Sequence, residues 1–242
     1  MILDVVLIGI VALVTWCVAS EGAWGAGFTL FSVVLSGLLA MNFYEVTAEF
    51  LQQNLASSLE WQHRWDVIAL VGLFAGFVLA LRTATDRIMP VDIEVQMLVF
   101  DVTRWGCAAL AGYTTMAFLL TALHTAPVPR EFLGFAPEPQ RRGGPVGQLA
   151  PDLQWLGFTQ YVSEHILRRG RSGPIFDGPT FEVYAGAGAK VWPSFPLRYA
   201  TRRERYYFSS SSAPSGPAVG PPRGAAPPPP GPPRGGGGTT QF

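Results

Sequence analysis

Apolar positions dominate four stretches in the first half of the chain: Ile2–Ser20, Ala23–Phe43, Trp65–Leu81 and Trp105–Leu123. At about 1.5 Å per residue, runs of this length make helices of roughly 25–31 Å, close to the hydrocarbon thickness of a bilayer. Their interiors carry no charge. Asp4, Asp66, Arg82 and Arg104 stand near the ends, where a side chain reaches water or head groups. Trp16, Trp24, Trp65 and Trp105 also lie at or near ends, as in an interfacial aromatic belt. Four such runs within 125 residues leave almost no polar surface for a soluble domain, so the pattern predicts four transmembrane helices. No Lys or Arg precedes the first run, which argues against a cleaved signal peptide.

Between the second and third runs, YEVTAEFLQQNLASSLEWQHR is amphipathic at helical spacing. Phe50, Leu51, Leu55 and Leu59 fall on one side, and Glu45, Glu49, Gln53 and Glu60 on the other. This predicts an interfacial helix lying along the membrane surface, with packing of its apolar side on the bundle as the alternative account. Val91–Met97 is expected to form a short helix, because a lone strand at a membrane surface leaves backbone groups unpaired. Pairs of small residues four apart permit close helix approach in lipid. Ser32 and Ser36, Gly72 and Gly76, and Ala108 and Gly112 are such pairs. They predict a compact four-helix bundle, with self-association as a further outcome. Asn42, Thr114 and Thr115 are placed to add interhelical hydrogen bonds.

Beyond the fourth run the pattern breaks. Residues 126–150 read as a linker and 151–208 as a small extramembrane region. This region contains one helix, about 153–169. Asp152 is its expected N-cap, Trp155, Phe158, Val162 and Ile166 its apolar stripe, and Arg168, Arg169 and Gly170 its C-terminal end. Residues 209–242 are rich in Ser, Pro and Gly and bury too little apolar surface to offset chain entropy, so they are expected to be disordered. The fold class is therefore an all-α membrane protein. It has four transmembrane helices and an interfacial amphipathic helix, then a short, partly helical polar region and a disordered Pro/Gly-rich tail.

Composition sharpens this division. The formal net charge of zero averages two unlike halves, and all of the 21 prolines except Pro90 lie beyond residue 125. The balance does not point to nucleic acid. The two cysteines, Cys17 and Cys107, fall within apolar runs and form no ligand pattern. The glycine-rich EGAWGAG joins two spans with no strand before it, unlike a dinucleotide loop. His63, His124 and His165 share no metal spacing, and no nucleophile–base pair emerges. Neither an enzyme nor a cofactor is expected, and the bilayer itself is the first partner implied.

Three features, in order, carry a resemblance. ILDVVLIGI opens the first span with an early Leu-Asp at Asp4. EGAWGAG leads straight into the second. FDVTRWGCAALAG leads into the last through Asp101, Arg104, Gly106 and Gly112. Over about residues 1–125 the chain resembles the colicin V production protein (CvpA) family of bacterial inner-membrane proteins. Its first turn departs from the family in carrying Glu21 rather than a basic residue. The resemblance implies a multi-pass inner-membrane accessory protein. Its expected role is in toxin (bacteriocin) production or export and in envelope homeostasis, through contacts with a membrane or envelope protein, and it brings no catalytic residues. In this setting Asp4, Asp101, Arg104 and Gly106 are interface anchors, with Asp101 and Arg104 one turn apart and able to pair. Arginine counts near the span ends lean towards both termini in the cytoplasm. The alternative is an oligomeric channel or transporter component, its pore lined by Thr114 and Thr115.

Deleting residues 209–242 is expected to leave the thermal unfolding midpoint of the detergent-purified protein unchanged. A scanning-fluorimetry comparison with the full chain checks this.

Overall fold

The computed structural model describes residues 2–55, 59–88, 96–128, 135–136, 142, 144–166, 176, 195–196 and 198–200. Six helices follow in order among them: α1 (Ile2–Ala19), α2 (Gly22–Asn54), α3 (Leu59–Ile88), α4 (Met97–Thr125), α5 (Pro145–Leu149) and α6 (Pro151–His165). No strand occurs among the described residues. The first four are long and apolar enough to cross a membrane. In such surroundings every backbone donor and acceptor needs a partner within the segment, which a helix supplies.

The α1–α2 connection is tight. The Ser20 and Glu21 amides return to the Trp16 and Val18 carbonyls, and Gly22 takes a φ of 85° that favours a residue without a Cβ. The ring of Phe100 from α4 covers this glycine. α2 and α3 then form a long antiparallel hairpin, and α4 packs against α1, α2 and α3. α4 runs antiparallel to α1, with Leu7 beside Met116 and Leu120 in one cluster and Thr15 against Ala108.

The interfacial helix does not form as a separate element. Residues 44–54 continue α2, and α3 begins at Leu59. Nothing between Gly37 and Asn54 breaks the helix, and propagation is easier than a new nucleus. Its buried face also differs from the amphipathic reading. Tyr44 and Ala48 are buried and Leu51 half-buried, whereas Phe50 and Leu55 are exposed. Packing of α2 on α3 selects this face. With 33 residues, α2 is about 50 Å long, well beyond the ~30 Å core of a bilayer. The hairpin tip therefore projects past any hydrocarbon layer the helix crosses. The short helix expected at Val91–Met97 lies largely outside the described residues, as does the tail from 209.

Among the predicted packing pairs, Ala108 and Gly112 lie in a close contact. A Cβ on Gly112 would stand 2.8 Å from Thr15 Oγ1 and 2.9 Å from the Val11 carbonyl oxygen. Ser32 and Ser36 are buried on α2. Gly72 and Gly76 are different, since a Cβ on either meets nothing within 4 Å, so they make no close helix contact among the described residues. The rotation of α3 turns Ala69, Leu70 and Phe74 inward instead. Gly37, which the spacing did not single out, is the tightest helix-to-helix site on α2. A Cβ there would lie 2.5 Å from Trp155 Cζ2.

The main core runs through α2, α3, α4 and α6. Phe74 stacks on Phe118 at 4.1 Å between centroids, and Trp155 meets Phe118 edge-on at 6.0 Å. Leu70, Leu156, Tyr44 and Phe195 complete it.

Gly112→Val is expected to push α1 from α4 and lower stability by about 1–3 kcal/mol. Gly72→Val should stay within about 0.5 kcal/mol of wild type. Equilibrium unfolding of the monodisperse protein in detergent compares the two.

Candidate functional site

Where α4 ends, three side chains from separate parts of the chain meet out of contact with solvent. His124 lies in the last turn of α4, Arg142 just before α5, and Asp152 in the first turn of α6. Asp152 is not the N-cap that a single-residue reading of its position suggests. Ala150 takes that place with a φ of 46°, Pro151 is the first helical residue, and Asp152 is the second. Proline's fixed φ and missing amide suit the first helical position, and this sets the register that turns the Asp152 carboxylate inward.

Both carboxylate oxygens are engaged. Arg142 donates from Nη1 to Oδ1 at 2.6 Å and from Nη2 to Oδ2 at 2.7 Å. His124 Nε2 lies 2.7 Å from Oδ2. The third guanidinium donor, Nε, reaches the Ala136 carbonyl at 2.6 Å. Asp152 and His124 have no exposed surface, and Arg142 retains 6%. The ring of Phe135 covers the site, edge-on to His124 at 4.9 Å and beneath the Arg142 guanidinium at 5.2 Å. Thr121, also buried, directs its hydroxyl to the Ala117 carbonyl at 2.9 Å beside the start of α6.

Burial alone would raise the Asp152 pKa. The hydrogen bonds from His124 and Arg142, and their charges, outweigh it and hold the carboxyl below the usual carboxylate range. A forked guanidinium–carboxylate pair is a strong, orienting contact. In this closed form the cluster works as a clasp, because its three side chains are buried and leave almost no surface to solvent. It joins α6 to α4 and draws in the stretch read from sequence as a linker. Phe135, Ala136, Arg142 and Val146 are buried there.

A second polar group sits farther along. Tyr44 donates to Glu45 Oε1 at 2.9 Å, and its hydroxyl lies 3.1 Å from that of Tyr199. Arg198 bridges to Glu45 at 3.3 Å. Burial, then the nearby charge of Asp66, pushes the Tyr199 pKa up to about 12. This group pins Arg198 and Tyr199 to α2. At the opposite end of the bundle, Glu21 bridges to Arg82 at 3.0 Å and accepts a bond from Thr29, while Arg82 also pairs with Asp86 at 3.1 Å.

The residues expected to anchor the membrane interface separate here. Asp4 is not at a solvated end. It is buried with its carboxylate over Gly144, whose φ of 90° and missing Cβ leave room for it. Asp101 is exposed, and Arg104 does not pair with it. Arg104 Nε instead donates to the Ala19 carbonyl at the end of α1, a group left over by that helix. Gly106 faces open space. On α6 the buried stripe is Asp152, Trp155, Leu156, Thr159 and Val162, while Phe158 and Ile166 are exposed. Arg168, Arg169 and Gly170 lie outside the described residues. Sequence reasoning passed over Arg142 and His124 as span-end residues. Pro151, as a first-turn proline, was the available signal that Asp152 would lie inside the helix.

Asp152→Leu is expected to cost about 3–5 kcal/mol at pH 7 by leaving Arg142 without its counter-charge, and Asp152→Leu with Arg142→Leu to recover much of it. Because the Asp152 pKa is lower folded than unfolded, its contribution is complete above about pH 4 and is lost as pH falls through the folded value. Chemical denaturation from pH 7 to pH 3 should show the onset of this acid loss in the wild type, as pH falls through the unfolded value of about 4, and much less of it in the double variant.

Comparison with protein-family models, with curated proteins and with solved structures finds no match to this chain.

Proposed function

We propose that the chain is a multi-pass inner-membrane accessory protein that supports bacteriocin production or export and envelope upkeep through contacts with other membrane proteins. This is the role implied by its resemblance to the CvpA family, and both termini are assigned to the cytoplasm. The observation that carries the reading is the division of labour in the molecule. The buried ionic cluster of His124, Arg142 and Asp152 is closed and joins α6 to the bundle, while the projecting α2–α3 hairpin turns apolar side chains outward. Phe43, Val46 and Phe50 lie along one exposed side of α2, at 50%, 68% and 62% exposure. An apolar strip at helical spacing on a projecting element is suited to a partner helix.

The channel reading has less behind it. The Thr114 and Thr115 hydroxyls each donate to a carbonyl one turn back in α4, at 2.8 Å, so their protons are already used within the helix.

A bacterial strain lacking its CvpA-family protein and carrying the colicin V genes provides the test. Expression of this chain should restore colicin V release, and Phe50→Glu should abolish the rescue at unchanged protein level. Failure of the wild-type chain to rescue, despite correct membrane insertion, overturns the proposal. Solute flux through reconstituted protein that is lost on Thr114→Leu would favour the channel instead.

A further inference from the structure

The last two turns of α3 form a surface feature that the bundle leaves unused. Ala80, Thr83 and Ala84 are small, and they lie between the exposed Leu79 and Ile88. Together with Arg87 these residues line a recess of about 660 Å³. The Thr83 hydroxyl donates back to the Leu79 carbonyl at 2.7 Å, so its hydrogen-bonding proton is taken up within the helix.

Charge distinguishes this recess from an ordinary lipid-facing surface. Three arginines are described at this end of the bundle. Arg82 is balanced by Glu21 and Asp86. Arg104 is bound to the Ala19 carbonyl and lies over the Trp105 ring. Arg87 is exposed and forms no ion pair among the described residues. It stands in the last turn of α3, where the negative end of the helix dipole favours a cation. α3 is also the span with the smallest buried share, 17% of its apolar window. The recess therefore opens sideways from the bundle, at the end of an apolar run. In a membrane that level is the boundary between acyl chains and head groups.

We infer that this recess is a binding site for an anionic phospholipid, with the phosphodiester on the Arg87 guanidinium and an acyl chain along Leu79, Ala80, Ala84 and Ile88. A guanidinium offers a phosphate two parallel donors. A zwitterionic lipid presents the same phosphate already balanced by its own ammonium, so one unbalanced arginine favours the anionic head group. One basic residue near an anionic surface corresponds to a preference of about fivefold.

Native mass spectrometry of the full chain in detergent tests the site, using equimolar phosphatidylglycerol and phosphatidylcholine with identical acyl chains. The wild type should retain phosphatidylglycerol about fivefold over phosphatidylcholine. Arg87→Gln should remove the preference and Arg87→Lys retain most of it. Ala84→Trp, which places a bulky ring in the path of the acyl chain, should reduce retention of both lipids. Arg64→Gln, at the opposite end of α3 where Arg64 lies over Trp61, should change nothing. Equal retention of the two lipids by the wild type overturns the site, as does a preference that survives Arg87→Gln. Displacement of phosphatidylglycerol by millimolar inorganic phosphate would show a general anion site and overturn the lipid assignment.

Discussion

A carboxylate with no exposed surface must be held by a cation and by hydrogen bonds or lose its charge, and Asp152 is held by Arg142 and His124. Arg142 grips both of its oxygens and His124 adds a third contact. These three residues belong to the end of α4, the segment before α5 and the start of α6. Their pairing decides that the chain after the fourth span folds back onto the bundle. Once Asp152 is seated, the next turn of α6 brings Trp155 against Gly37 and Phe118. An apolar stripe on α6 without the ion cluster would specify burial but not a register. A forked guanidinium–carboxylate contact specifies both.

Glycine supports the same design at three depths. Gly37 admits Trp155, Gly112 admits α1, and Gly144 admits the Asp4 carboxylate. Each receives a group that any larger side chain would displace. In lipid, helices gain little from hydrophobic burial against one another, and close contact takes over that role. Glycines outside these contacts, such as Gly72 and Gly76, are small without being contacted. Their presence leaves a shallow, exposed side on α3, which continues into the recess near Arg87.

The bundle also handles its charges by position. At the end near Glu21, ion pairs form along and between helices, and Arg104 satisfies the open carbonyl end of α1. At the other end, charge is drawn inward to secure α5 and α6. The Tyr44–Tyr199 contact then fastens the last described residues to the projecting part of α2. Polar chemistry in this protein works at helix ends and junctions, and the outward faces of the spans are left apolar.

The sequence by itself determined the four long helices. Uninterrupted apolar runs of bilayer length admit few other backbone solutions, because each amide and carbonyl needs a partner within its own segment. It also indicated a helix at about 153–169, from Asp152 and the recurrence of Trp155, Phe158, Val162 and Ile166, where the structure has one at Pro151–His165. Tertiary structure decided which faces of those helices are inside. The rotation of a helix follows from its neighbours, so Tyr44 and Ala48 were buried in place of Phe50 and Leu55, and Gly112 was enclosed while Gly72 was left open. Only the fold brought together His124, Arg142 and Asp152, which lie 10 and 28 positions apart along the chain. Periodicity reports which residues share a side of one element. It does not report which charge on another element will meet them, since that depends on how the chain returns.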